Sequence, residues 1–229
     1  MNDLATYLDL GWPIFGVLTL LFWVVIPQWV KYNTRFFEQL LGWVIAINYL
    51  AYHVMAFWSG EWSIAQSLPF HMCNMTQILL FLHLVFRAQW AFPITAFWGP
   101  LGGIQALITP GLDISSSWYQ CTQFFVSHSM VVLVPLFLIL FSGRKIPKNF
   151  TWKIFGLTNA VAFVLYFVNL LTGGNYMYVN QPPPVNHPLV QGIWPYYLLV
   201  FEIAFLLLAA GYSWLLRKHT LEISSEEKS

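Results

Sequence analysis

Long apolar runs alternate with short polar interruptions along this chain. A hydrocarbon core needs about 20 mostly apolar residues per spanning helix. That ruler lays seven predicted helices over residues 12–30, 39–58, 69–86, 91–109, 119–141, 151–171 and 193–216. The interruptions are turn-forming or charged: Lys31–Arg35, Ser59–Glu61, Arg87–Gln89, Pro110–Asp113, Ser142–Lys145 and the long stretch Thr172–Gly192. Only a few residues separate the third and fourth runs, so these two are antiparallel neighbours. No internal repeat and no soluble domain is visible. The expected architecture is an all-α membrane protein, with residues 1–216 as a single seven-helix transmembrane domain and 217–229 as a short cytoplasmic tail.

Composition agrees and narrows the choice. Of 229 residues, 58% are hydrophobic and 8% are charged, against about 25% charged in ordinary soluble domains. So few charges cannot cover the surface of a soluble protein of this size. A net charge of +1 excludes a nucleic-acid binder, which needs a basic face. Residues 1–11 carry Asp3 and Asp9 but no Lys or Arg, so the basic region of a signal peptide is missing and the first apolar run is expected to span.

The basic residues set an orientation. Lys31 and Arg35 fall in the first loop and Arg87 in the third. Arg144, Lys145, Lys148 and Lys153 fall in or just after the fifth, and Arg217, Lys218 and Lys228 in the tail. With seven spans all ten lie on one side; six or eight spans would scatter them. The positive-inside rule then places the N-terminus outside and the C-terminus in the cytoplasm, as expected for a multi-pass protein of the cell membrane.

Polar groups in hydrocarbon are costly, so each is a candidate for function. At 1.5 Å per residue, His128 lies roughly 13 Å below the outer end of its helix, and Glu202 at a similar depth. His53, His71, Cys73, Gln77 and Gln105 also fall in the outer half. The inner half holds Asn159 and His83, the latter expected to snorkel towards the inner face. The alternative for each polar residue is a hydrogen bond that glues one helix to the next. Trp29, Trp58, Trp62, Trp118 and Tyr196 read as an interfacial aromatic belt.

No lysine lies mid-helix to hold retinal, and no phosphate-binding, metalloprotease or CxxC motif occurs. No cofactor is expected. His71 and Cys73 are two apart and so face away from each other on a helix; a metal there would need an unwound segment, and no metal site is assigned.

Cysteine with histidine suggests acyl chemistry. The thiolate is the nucleophile, and a thiol of ordinary pKa (about 8.5) needs a base or a positive neighbour. His128 is the natural base for Cys73 if their helices touch. Glu202 would either orient His128 or bind a cationic head group. At this depth a site meets the ester bonds of an outer-leaflet phospholipid, which makes membrane lipids the candidate substrates. Gln105 and Asn175 are candidate donors to the oxyanion. The uncharged loop from Thr172 to Pro184 either caps the pocket or serves as a connector ordered by its aromatics. Cys121, at the mouth of the fifth helix, is expected to be dispensable, the competing idea being a disulfide with Cys73.

Several segments resemble YwaF-type bacterial integral membrane proteins. They are Leu68-Pro-Phe-His71-Met-Cys73-Asn74, the run from Phe97 through Gly99, Gln105 and Thr109 to Pro110, Gln123-Phe-Phe-Val-Ser-His128, Gly174-Asn175-Tyr176-Met177 and Trp194-Pro195-Tyr196. Their order and spacing match over about residues 60–210. Eukaryotic relatives of that family are transmembrane acyltransferases with a Cys–His pair, and more distant membrane hydrolases use Thr with His. The resemblance therefore implies Cys73 as nucleophile and His128 as base, with His53, His71, Gln77, Gln105, Asn175 and Glu202 in substrate-binding or supporting positions. The leading expectation is a phospholipid or lysophospholipid acyltransferase. Its rivals are a transporter or small-ligand-binding protein with an outward-facing vestibule lined by His53, His128, Gln105 and Glu202, and a structural membrane subunit.

Overall fold

A computed structural model describes residues 3–30, 34–112, 118–183 and 193–221. Lys31, Asp113, Lys228 and residues 184–192 of the long loop lie outside the described residues. The first helix, α1, is α-helical over Asp3–Leu20, widens to a π-helical turn over Leu21–Val25 and resumes over Ile26–Val30. Pro27 follows the widened turn; a proline lacks an N–H and its ring crowds the carbonyl four residues back, here that of Trp23. Six further helices follow: α2 (Thr34–Trp58), α3 (Met72–Phe86), α4 (Ala91–Ile108), α5 (Trp118–Leu140), α6 (Phe150–Thr172) and α7 (Tyr196–Leu215).

Seven helical units thus occupy the seven apolar runs, and six of them are long and apolar enough to cross a membrane. The exception is α3. Its 15 residues reach about 22 Å, short of a hydrocarbon core of about 30 Å. The apolar run predicts helix from residue 69, but the chain up to His71 is a series of turns and bends, and the helix starts at Met72.

The two central helices are α4 and α5. Helix α5 packs on α1, α2, α3 and α4, while α4 packs on α3, α5, α6 and α7. Helices α6 and α7 form a pair that touches the rest mainly through α4. The shared core holds Leu80 and Leu84 of α3, Ala96 and Phe97 of α4, and Val131, Val134 and Leu138 of α5.

Glycine makes the α4–α5 contact possible. A methyl built on Gly99 would sit 2.0 Å from the Val131 carbonyl oxygen, and one on Gly103 would sit 2.6 Å from Val132. Gly99 and Gly103 are four apart, so they form one small-residue face along which backbones approach closely. Pro135 adds to this. It has no N–H for the carbonyl four residues earlier, which is that of Val131. The oxygen left without its helical partner is the one that meets Gly99, where a Cα–H can point at it.

A second anchor lies at the other end of α3. Arg35 of α2 donates to the Leu84 and Val85 carbonyls, which a helix end leaves unpaired. Glu38, one turn on, accepts from Arg144 at 2.9 and 3.2 Å. His83 is buried beside them, with its Nδ1 on the Ala88 carbonyl at 3.2 Å. It does not snorkel: that carbonyl holds Nδ1 inside the bundle, while Nε2 stays buried with no partner among the described residues. The start of α2, the end of α3 and the segment after α5 therefore meet at one end of the bundle. A two-residue parallel pairing of Ile146–Pro147 with Thr220–Leu221 brings the segment after α7 there too.

Gly99→Ala should lower thermal stability by about 1–3 kcal/mol or more, because backbone atoms cannot move aside as a side chain can. Gly156→Ala on α6, where an added methyl meets nothing within 4 Å, should leave it unchanged or slightly raised. Thermal unfolding of the two purified variants in detergent measures both; equal melting temperatures would remove the close-contact account.

Candidate functional site

A cavity of about 740 Å³ opens where the α6–α7 pair leans away from α3, α4 and α5. Its wall includes His71, Cys73, Gln105, His128 and Glu202, five of the residues singled out in the sequence. Among the described lining residues, Glu202 alone carries a formal charge. The rest of the wall is rich in aromatics, among them Tyr52, Phe124, Tyr166, Tyr178 and Trp194.

The Cys73 end is built from three helices. Cys73 lies in the first turn of α3, half-buried, and Gly102 of α4 is so close that an added methyl would meet its Sγ at 3.6 Å. On the neighbouring residue, a methyl at Gly103 would lie 3.2 Å from the His128 carbonyl oxygen on α5. The glycine pair thus puts the α4 backbone between Cys73 and His128, and both side chains reach the same cavity. His71 reaches it as well. The sequence spacing sets His71 and Cys73 on opposite sides of a helix, but His71 precedes the helix in an extended conformation (φ −74°, ψ 143°), so the helical rule does not apply to it.

The state of His128 follows from its partner. Its Nδ1 lies 2.8 Å from the Phe124 carbonyl oxygen one turn earlier. A carbonyl only accepts, so Nδ1 carries the proton and Nε2 is left bare as an acceptor. The Phe124 ring lies against the imidazole, centroids 4.0 Å apart and the planes tilted by 32°, and limits its rotation. The orienting role considered for Glu202 is filled by this backbone carbonyl. Glu202 accepts instead from Asn159 Nδ2 at 2.9 Å. Asn159, expected in the inner half apart from the outer cluster, is level with Glu202, and both line the cavity.

Three supporting residues sit elsewhere. His53 accepts from Trp62 Nε1 at 3.3 Å and packs against Tyr49 and Tyr52; those two tyrosines line the cavity and His53 does not. Gln77 is buried one turn below Cys73, away from the lining, with no partner for its Oε1 among the described residues. Asn175 turns its amide into its own loop. Its Nδ2 donates to the Gln181 carbonyl at 2.9 Å, and its Oδ1 accepts from the Asn180 and Gln181 amides. Asn175 does not line the cavity, so it is not placed as an oxyanion donor. Gln105 lines the cavity and keeps its side-chain amide unengaged among the described residues.

The loop after α6 is both ordered by aromatics and part of the wall. Tyr176 is fully buried; its hydroxyl accepts from the Leu68 N–H at 3.0 Å and donates to the Ile64 carbonyl. Asn169 holds the Tyr176 backbone on both sides, accepting from its N–H at 2.8 Å and donating to its carbonyl at 3.1 Å. Met177, Tyr178 and Val179 then face the cavity. The Tyr178 phenol is pushed above its ordinary pKa by burial and, second, by the nearby Cys73, so it stands neutral as a donor. Sequence reading missed Tyr178; its only signal was the resemblance of the adjoining Gly174–Met177 segment.

No disulfide joins Cys73 to Cys121. Cys121 is not exposed at a helix mouth but buried, at 1%. Among the described residues, no cluster of three or more His, Cys, Asp or Glu side chains is placed to hold a metal ion.

Fold and site together define a multi-pass helical membrane protein with a mostly uncharged, aromatic-walled cavity. The chain matches the TMEM164 family over residues 6–212 and belongs to that family of transmembrane proteins. No curated protein matches the chain, and no solved structure does.

Brief treatment of the folded protein with a small permeant alkylating reagent should modify Cys73 ahead of Cys121, read by peptide mass spectrometry. Modification of Cys121 first would contradict the placement of the two thiols.

Proposed function

We propose that this protein is an integral membrane acyltransferase acting on phospholipid or lysophospholipid acyl groups. Cys73 is the nucleophile and His128 its base. The observation that carries the reading is the 2.8 Å contact of His128 Nδ1 with the Phe124 carbonyl oxygen. With Nδ1–H held by the Phe124 carbonyl, Nε2 is free to take a proton within the cavity that Cys73 lines. The likeness to YwaF-type proteins and to eukaryotic Cys–His acyltransferases supports the same roles.

In the first half-reaction the Cys73 thiol gives its proton to His128 Nε2, and Sγ bonds to the ester carbonyl carbon. The carbonyl π pair moves onto oxygen, where the Gln105 amide donates to it. When the pair returns, the ester C–O bond breaks. The lysolipid oxygen leaves with the proton from His128, and a thioester remains on Cys73. In the second, an acceptor hydroxyl, from a lysolipid or water, loses its proton to His128, attacks the thioester and expels the thiol, which regains that proton. The cavity wall suits a lipid: aromatics line it, and Phe163 on that wall is exposed to the surroundings of the helix bundle.

The topology belongs to this proposal. The protein spans the cell membrane seven times, with its N-terminus outside, the cavity facing the outer leaflet and the basic residues inside. A reporter active only outside the cytoplasm should be silent when fused after Ser229 and active when inserted between Pro184 and Gly192. The opposite pattern overturns the orientation.

The chemistry is tested on protein reconstituted with mixed phospholipids, by trapping an acyl adduct on Cys73 that neutral hydroxylamine releases. Cys73→Ala should abolish the adduct, Cys121→Ala should keep it, and His128→Ala should slow its formation by about 10²–10⁴-fold. Wild-type protein that never acquires an acyl group would reject the enzyme reading. Uptake or ligand binding that survives Cys73→Ala but is lost in Glu202→Gln would establish the vestibule reading instead.

A further inference from the structure

Loss of Asn175 as an oxyanion donor leaves Gln105 alone in that role, yet the loop that carries Asn175 is held far more firmly than a connector requires. Asn169 grips Tyr176, and the Tyr176 hydroxyl grips the Ile64–Leu68 segment. The Tyr197 hydroxyl donates to the Tyr178 carbonyl, and Trp194 Nε1 donates to the Val179 carbonyl at 3.2 Å.

What these bonds hold is an unfavourable backbone. Met177 and Tyr178 are both left-handed, with φ of +53° and +56°. Neither is glycine, and in this conformation the Cβ of each crowds the following carbonyl oxygen. Strain of this kind persists only where the surroundings over-determine it, and it gathers at active sites.

The product of the strained pair is the position of one side chain. Tyr178 is turned into the cavity wall, its ring 5.3 Å from that of His71, at the end where Cys73 lies. Its carbonyl is bonded, but its phenol hydroxyl, facing the cavity, makes no hydrogen bond to any of the described residues. A donor that the protein leaves unused, in a place the backbone is strained to reach, is available to a ligand.

We propose that Tyr178 is a further catalytic residue, whose hydroxyl donates a hydrogen bond to the acyl carbonyl oxygen as that oxygen becomes negative. The inference rests on the acyl-transfer reading above. No proton leaves the phenol. As Sγ bonds to the carbonyl carbon, the π pair moves onto oxygen and Tyr178 O–H, with the Gln105 amide, holds it there. When the pair returns and the lysolipid departs with the proton from His128, the hydrogen bond relaxes. The same donor serves when the acceptor hydroxyl attacks the thioester.

Tyr178→Phe in the full-length protein is the test, because it removes a hydroxyl without a partner and keeps the ring. In liposomes of mixed phospholipid, the rate of Cys73 acyl-thioester formation should fall about 100-fold. The melting temperature, and the rate at which a small reagent alkylates Cys73, should stay at wild-type values. An acylation rate within twofold of wild type, in a preparation where Cys73→Ala abolishes the adduct, overturns the role of Tyr178 and leaves the acyl-transfer reading standing. Acylation that falls together with melting temperature or Cys73 alkylation also overturns it, since the residue then acts on the fold or the thiol. Wild-type protein that never acylates overturns both.

Discussion

Backbone contact between α4 and α5 is the constraint on which the cavity depends. Gly99 and Gly103 have no side chain to hold the helices apart, and the Val131 carbonyl, left without a helical partner by Pro135, faces Gly99 directly. In lipid there is little hydrophobic drive between helices, so close packing and weak Cα–H contacts carry more of the association. Once α4 is pressed onto α5, Gly102 on the next face of the same helix lies against Met72 and Cys73 of α3. One segment of α4 thus sets how far Cys73 stands from His128.

The opposite wall is built differently. Helices α6 and α7 share few contacts with the rest, and the loop between them supplies what close packing does not. Asn169, Asn175, Tyr176, Trp194 and Tyr197 tie that loop to itself, to α6 and to the Ile64–Leu68 segment by hydrogen bonds. The division has a physical logic. A helix pair that leans away leaves room for a large ligand, and a hydrogen-bonded loop keeps the rim in place across that gap.

The basic residues serve two ends. By their distribution they indicate a topology, and two of them also close the far end of the bundle. Arg35 satisfies the last carbonyls of α3, and Arg144 pairs with buried Glu38. Replacing such a pair with apolar residues is often neutral, whereas removing one partner strands a buried charge at a cost of about 3–5 kcal/mol. The cluster therefore specifies which helix ends meet more than it adds stability.

Hydropathy, which accumulates along the chain, was enough to read seven helical runs and the membrane setting. It also picked out His71, Cys73, Gln105, His128 and Glu202, which reach the cavity, because a polar group in an apolar run stands out wherever its helix turns. What hydropathy does not carry is rotation, local unwinding and the satisfaction of each polar group. His71 and Cys73 share a wall only because the helix starts between them. Asn159 joined Glu202 through the relative shift of α6 and α7, and His53 was drawn off by Trp62. Asn175 and Tyr178 show the limit most plainly. The Asn175 amide, a candidate for the pocket, is turned into its own loop, and the Tyr178 phenol, which no sequence pattern singles out, is carried into the cavity wall by a left-handed backbone. Those outcomes depend on which donor finds which acceptor in three dimensions, and only the tertiary structure decides that.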